Sequence, residues 1–217
     1  MMTKCAFFDF DDTLCRGDSV VPFLLYAIRK GAAPWTQLFR SAKGYLLQLG
    51  HPEKISGAKE STFSFIKGKT QEEIDELARG FFREIITPRL FEQGVAELWR
   101  LKAEGYTIVV VSASVDLYMH LLPEFLPVDA VLATPCLKEN DCYTGRIAAN
   151  CKGEEKPRRI AAWLQENGIE LDAAASRAYG DSPSDAPMLR MVALPMLVDP
   201  HKKLVAALPD APHVHWR

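Results

Sequence analysis

One stretch constrains this chain more than any other: Cys5-Ala6-Phe7-Phe8, followed at once by Asp9-Phe10-Asp11-Asp12-Thr13-Leu14. Four apolar residues in a row read as a short strand buried on both faces, and that strand stops in three carboxylates within four residues. Clustered acids raise one another's pKa and lose their charge unless a cation or a reaction uses them. In open α/β sheets, ligands sit just beyond the carboxyl ends of the strands, where this cluster would lie. A solvated acidic loop with Asp11 or Asp12 in a turn is the plain alternative, and the motifs farther along the chain tell against it.

Behind the acids comes a bend, Arg16-Gly17-Asp18, and then a region that reads as helix throughout. Val20, Phe23, Leu24 and Ala27 have helical spacing over about 19–29. Pro34 opens a second helix with Leu38, Tyr45 and Leu49, and Pro52 a third that runs through Phe63 and Phe65. Thr70 and Glu73 form a capping box for a fourth, which carries Ile74, Leu77, Phe81 and Phe82. Thr87-Pro88-Arg89 closes the run. Some seventy helical residues between strands are too many for a crossover and read as a small inserted domain. The aromatics Phe23, Tyr26, Trp35, Phe39, Phe63, Phe65, Phe81 and Phe82 are expected to form its core.

From about 91 the pattern changes to alternation. A helix ending at Gly105 leads to the apolar run Tyr106–Ser112, then a helix with Leu117, Leu121 and Leu122, then Ala130–Ala133. A hairpin turns at Asn140-Asp141 and returns through 143–147. Helices from about 157–167 and from near Ser184 and Pro200 alternate with strands near Ala178-Tyr179 and 196–198. This is the pattern of a parallel sheet covered on both faces, an α/β core. Its 217 residues suffice for that core plus the insertion.

A net charge of −2 gives no reason to expect nucleic acid as a partner, and no apolar run is long enough for stable membrane insertion. The chain starts directly in a strand without a secretory signal, so the cytoplasm is the expected address. The cysteines Cys5, Cys15, Cys136, Cys142 and Cys151 form no C-x-x-C pair and read as free thiols. His213 and His215 share a face if the tail is a strand, but lack a third zinc ligand. Oligomeric state is not legible.

In a parallel sheet, the polar residues past each strand meet at one edge. Those here are Asp9 and Asp11, Ser112 and Ser114, and Asp181 and Asp185, with Lys156 at the start of a helix running back from that edge. Carboxylates with waters satisfy an octahedral hard cation such as Mg2+. A lysine and a hydroxyl then hold phosphoryl oxygens.

These residues carry a resemblance. D-x-D-x-T-L stands at 9–14, the second strand ends in Ser112, Gly153-Glu154-Glu155-Lys156 precedes a helix, and Gly180-Asp181-Ser182-Pro183-Ser184-Asp185 has the form G-D-S-x-x-D. In order and spacing the chain resembles the haloacid dehalogenase superfamily phosphatases of the phosphoserine-phosphatase-like subfamily, over nearly its whole length. The resemblance implies a Rossmann-like core of 1–15 and 89–217 with an all-helical cap of 16–88. It implies a magnesium-dependent phosphatase acting on a small phosphorylated substrate. Asp9 would be the nucleophile, forming an aspartyl-phosphate. Asp11 would be the general acid and base. Asp9, the backbone carbonyl of Asp11 and Asp181 would hold the metal. Ser112, with Ser114, and Lys156 would bind phosphoryl oxygens, and Asp185 would orient the lysine or a metal-bound water.

Plainer readings stand beside several of these. Ser112 and Asp185 are ordinary helix caps. Lys152 competes with Lys156, which is preferred because it abuts Pro157, a natural first helical residue. Asp12 reads as solvated, and Asp199 as the cap of the last helix. Asp18 lies nine residues past Asp9, where phosphoserine phosphatases carry an acid for the substrate amine, with Arg16 nearby; Asp18 before Ser19 is equally a helix start. Phosphotransfer to another hydroxyl and hydrolysis of lipid head-group phosphates use the same motifs. A receiver-type signalling module would need an aspartate where Ser112 stands.

Overall fold

The first apolar run becomes β1, Cys5–Phe8, and all four residues are buried. The computed structural model describes residues 2–46 and 55–217. In chain order there follow Thr107–Val115 (β2), Ala130–Thr134 (β3), Cys136–Glu139 (β4), Cys142–Ile147 (β5), Arg177–Gly180 (β6), Leu194–Val198 (β7) and His213–Val214 (β8). Six strands make one sheet in the order β3-β2-β1-β6-β7-β8, with every pairing parallel. The chain therefore builds outward from β1 through β2 and β3, then returns to the other side of β1 at β6. The order reverses between β1 and β6, and such a reversal opens a crevice at the carboxyl ends. The fold class is α/β as expected.

The helices are Val20–Arg29 (α1), Gln37–Leu46 (α2), Ile55–Phe63 (α3), Gln71–Phe81 (α4), Glu92–Ala103 (α5), Asp116–Met119 (α6), Glu155–Glu166 (α7), Ala186–Leu189 (α8) and Lys202–Ala207 (α9). Alternation along β1 sends Cys5 and Phe7 to one face and Ala6 and Phe8 to the other. Phe7 packs with Ile160 and Leu164 of α7, Leu189 of α8 and Leu204 of α9. Phe8 belongs to a larger cluster with Leu98 and Leu101 of α5, and stacks on Tyr179 at 4.1 Å.

The helical insertion leaves and rejoins the core through a paired stem. Arg16 N–H donates to Arg89 O, and Phe91 N–H donates to Leu14 O, both at 2.9 Å. Thr70 caps α4 through the expected reciprocal bonds with Glu73. A π-turn, Phe82–Ile86, and a 3-10 turn, Thr87–Arg89, then end the run. Among the described residues no helix is long and apolar enough to cross a membrane.

Several expectations are corrected here. Phe23, Phe63, Phe81 and Phe82 are buried, but in the same cluster as Phe8 and Phe10 of the core, not in a core belonging to the insertion alone. The bridge is Tyr118 of α6, whose ring lies 4.8 Å from Phe23 and 5.5 Å from Phe81. Trp35, Phe39 and Leu38 are exposed. Leu49 and Pro52 lie outside the described residues. β2 continues past Ser112 to Val115, so Ser112 caps no helix. α7 begins at Glu155, which makes Lys156 its second residue. Asp199 does not cap α9; its carboxylate accepts from Trp216 N, Arg217 N and His215 Nδ1. His215 is thereby paired with Asp199, and among the described residues the one metal-compatible cluster is elsewhere.

Candidate active site

Asp9 is the first residue past β1, and Asp181 the first past β6, so the crevice between these strands carries a carboxylate on each side. Asp9 N–H donates to Tyr179 O at 3.0 Å, which holds the strand end in register. Asp185 ends a 3-10 turn, Pro183–Asp185. Its Oδ2 accepts from Ser182 N at 3.0 Å and Ser182 Oγ at 2.8 Å. Gly180 allows that turn to fold back so tightly: a Cβ there would lie 2.6 Å from Asp185 Cβ. Asp185 is thus both part of a cap and part of the site.

Lys156 reaches into this crevice from α7 and is almost fully buried. Its Nζ donates to Asp9 Oδ1 at 2.5 Å and to Asp185 Oδ1 at 2.6 Å. Burial alone would lower the lysine's pKa, but Asp185 and Asp9 hold it above its ordinary value. Burial, then Asp185, push Asp9 well above the carboxylate range despite the lysine. Burial, then Asp185 and Asp12, push Asp181 up to about 7. Beyond burial, both shifts share a cause: a single ammonium serves a cluster of three buried acids. Oxygens of Asp9, Asp181 and Asp185 all lie within 4.8 Å of one another. An all-oxygen, negatively overcharged cluster of this kind fits a hard divalent cation.

Two residues on from Asp9, Asp11 has different neighbours. A register shift in β2 between Val111 and Val115 turns the strand end toward it, as bulges commonly do beside active sites. Ser114 Oγ donates to Asp11 Oδ2 at 2.5 Å, Ser19 Oγ lies 2.8 Å from Ser114 Oγ, and Tyr118 Oη 2.8 Å from Ser19 Oγ. Each hydroxyl has one proton. With Ser114 donating to the carboxylate, Ser19 must donate to Ser114 and Tyr118 to Ser19. Asp11 Oδ1 is buried without a hydrogen-bond partner among the described residues. Burial, then Asp18, push Asp11 up to about 6, against the opposing pull of Ser114. Because Oδ2 is filled by the hydroxyl chain, a proton on Asp11 belongs on Oδ1.

Ser112 is fully buried, and its Oγ accepts from Ser114 N at 3.0 Å. Of the remaining expected residues, Asp18 is exposed and its Oδ1 accepts from Val21 N at 3.0 Å, which is a helix-capping bond. Arg16 is exposed, with its guanidinium 5.7 Å from the Phe91 ring. Asp12 has a positive φ of 60° and accepts from Gly17 N and Arg217. Lys152 is exposed and Lys156 occupies the site. The structure adds Lys59 of α3, a buried cation that the insertion presents to the core. Its Nζ donates to Ala113 O at 2.5 Å and Asn150 Oδ1 at 2.7 Å. Nothing in the local sequence separates it from a surface lysine. Ser19 and Tyr118 were equally silent: a helix start and an ordinary aromatic.

A sequence model described as haloacid dehalogenase-like hydrolase matches residues 6–190. A Mycobacterium tuberculosis protein named "probable phosphatase" is 26% identical over 92% of this chain and 70% of its own. A Bordetella pertussis structure of unknown function superposes with a TM-score of 0.87, at 25% identity and 99% coverage of both chains. A phosphoserine phosphatase solved as a phospho-aspartyl intermediate analogue gives 0.63 at 18% identity, covering 100% of this chain and 95% of that one.

Proposed function

The chain belongs to the haloacid dehalogenase-like hydrolase family, and on that premise we propose that it is a magnesium-dependent phosphatase of small phosphomonoesters. The observation that carries this reading is Lys156 clamped between Asp9 and Asp185, with Asp181 in the same cluster. Three segments far apart in sequence supply those groups, and no packing need explains three acids around one lysine. A relative named as a phosphatase adds support.

In this reading Asp9 attacks phosphorus. Its Oδ1 is held by Lys156, while Oδ2 carries only a 3.4 Å bond from Thr13 and is the freer nucleophile. An acyl-phosphate (mixed anhydride) bond forms between Asp9 Oδ2 and phosphorus, and the bond from phosphorus to the substrate oxygen breaks. Asp11 gives its Oδ1 proton to that departing oxygen. Asp11 then takes a proton from water, whose oxygen bonds to phosphorus as the acyl-phosphate bond to Asp9 breaks and the Asp9 carboxylate is regenerated. Lys156 and the Ser112 hydroxyl hold the phosphoryl oxygens. Asp9, Asp181 and the backbone carbonyl of Asp11 would bind magnesium, which offsets the repulsion between a carboxylate and a phosphate. Asp185 has both oxygens engaged and serves to orient Lys156. The insertion, 16–88, acts as the cap that shields the reaction from bulk water, and selects the substrate; Lys59 ties it to Ala113 and Asn150.

The test is phosphate release from an aryl phosphate and a panel of phosphorylated metabolites, with magnesium and then with EDTA. Turnover that survives both EDTA and Asp9→Asn would remove this reading.

A further inference from the structure

We propose that the outward face of α2 docks the protein on an anionic membrane surface. The helix is amphipathic in the reverse sense of an ordinary surface helix. Its uncharged polar side chains point inward: Gln37 Nε2 donates to Thr62 O at 3.1 Å and Ser64 Oγ at 2.8 Å, and Ser41 Oγ bonds Thr62 Oγ1 at 2.7 Å. Its described large apolar side chains point outward. Phe39 is 66% exposed and Leu46 67%, with Leu38 also exposed. Just before the helix, Trp35 is 65% exposed and lies edge-on to Phe39 at 5.5 Å. These bonds hold Gln37 and Ser41 on the inner side of the helix, which leaves Phe39 and Leu46, on the opposite side, facing out.

Charge selects the occupant. From 19 to 52 the chain has no acidic residue, but carries Arg29, Lys30, Arg40 and Lys43, although its net charge is −2. Arg29 and Lys30 pair with Glu84. Arg40 and Lys43 instead line a groove of about 440 Å³ beside α3, with Ser61, Ser64 and Glu60. Tryptophan, phenylalanine and leucine bordered by arginine and lysine suit the boundary between acyl chains and anionic head groups. A second copy of the chain on this face would set Arg40 and Lys43 against themselves. At ten residues α2 is only about half of what spans a bilayer; it would lie in the plane of the surface. The proposal concerns docking alone and stands apart from the chemistry at Asp9.

Sedimentation of the full chain with phosphatidylcholine vesicles, with and without phosphatidylglycerol, tests it. Binding is expected only with phosphatidylglycerol, falling as salt rises. Arg40→Glu with Lys43→Glu, and separately Trp35→Ser with Phe39→Ser, should each weaken it roughly tenfold or more. Hydrolysis of a soluble aryl phosphate should be unchanged in both. Brominated lipid should quench the wild-type tryptophan emission more than that of Trp35→Phe, a variant that preserves the ring packing. Absence of binding, equal binding by the variants, or equal quenching would overturn the proposal. So would a solution dimer that Trp35→Ser with Phe39→Ser breaks, since a second copy would then own the face.

Discussion

Asp9 and Asp11 stand two residues apart at the end of the same strand, yet their surroundings have little in common. Burial pushes both upward. Asp9 meets full charges: the Lys156 ammonium and the carboxylates of Asp185 and Asp181. Asp11 is hydrogen-bonded by neutral donors alone, a file of hydroxyls from Tyr118 through Ser19 to Ser114, which fills one oxygen and leaves the other bare. The charges of Asp18 and Lys59 act on it without a hydrogen bond. The difference fits the roles proposed for them. In the proposed mechanism the carboxylate tied to an ammonium becomes the bonding anion once a cation offsets the burial and the Asp185 charge that raise its pKa. The one held by hydroxyls, pushed up to about 6, can carry and release a proton. The neighbours that β2, β6 and α7 bring up make the distinction, since the side chains themselves are identical.

Substitution at the two positions should break this comparison if it is wrong. Asp9→Asn is expected to cost roughly 10⁴-fold or more in kcat, the size of loss seen on removing a nucleophile. Asp11→Asn should cost about 10²–10⁴-fold, and more with alkyl than with aryl phosphates, because a poor leaving group needs the proton. A loss at Asp11→Asn that ignores the leaving group would mean that it is no proton donor.

The two surroundings should also differ in stability. Lys156→Met leaves Asp9 and Asp185 buried without their counter-charge, which should cost about 3–5 kcal/mol and lower Tm by roughly 10 °C. Ser114→Ala removes one hydroxyl bond from Asp11 and should cost only about 1–2 kcal/mol. Thermal melts of the two variants side by side decide this; equal losses would show that the ion cluster is no more strongly coupled than the hydroxyl file.

Legibility followed the same division. The strand 5–8, the capping box at Thr70 and the order of the acidic motifs were readable, because each depends on neighbours in the chain or on a spacing specific to one chemistry. The convergence of Asp9, Lys156, Asp181 and Asp185 was readable for the same reason. Periodicity did not say which way α2 faces: Leu38 and Phe39 fit an inward stripe as well as an outward one, and the decision lies with Thr62 and Ser64, which receive Gln37. Lys59, Ser19 and Tyr118 were missed because their importance comes from partners that are 54, 95 and 99 residues away in pairs such as Lys59–Ala113, Ser19–Ser114 and Ser19–Tyr118. Asp199 misled because a proline follows it, while its actual partners are in the tail.

Magnesium should sharpen the contrast at a smaller scale. At tenfold its dissociation constant, an ion that binds only the folded chain adds about 1.4 kcal/mol, visible as a Tm rise of a few degrees. Asp181→Asn should abolish that rise. Asp11→Asn should keep it, since only the backbone carbonyl of that residue is assigned to the ion. If Asp11→Asn abolished it too, the separation between the two carboxylates would fail.

The smallest effect concerns Lys59, the cation on the Asp11 side. Burial lowers its pKa from 10.5 to about 8, while Asp11 and Asp18 favour its charge, Lys152 opposes it and Cys151 adds little. Above the folded value the native lysine has shed its proton, and below 10.5 the unfolded one still holds it. The unfolded state then binds more protons, so stability rises with pH across that window. Between about pH 7.5 and 9 the gain should be about 1 kcal/mol, and it should be missing in Lys59→Met. The quantity to follow is the difference in unfolding free energy between wild type and Lys59→Met, which cancels every other titration. A difference that stays flat over this range would mean that Lys59 keeps its proton. The Asp11 side would then be charge-compensated much as the Asp9 side is.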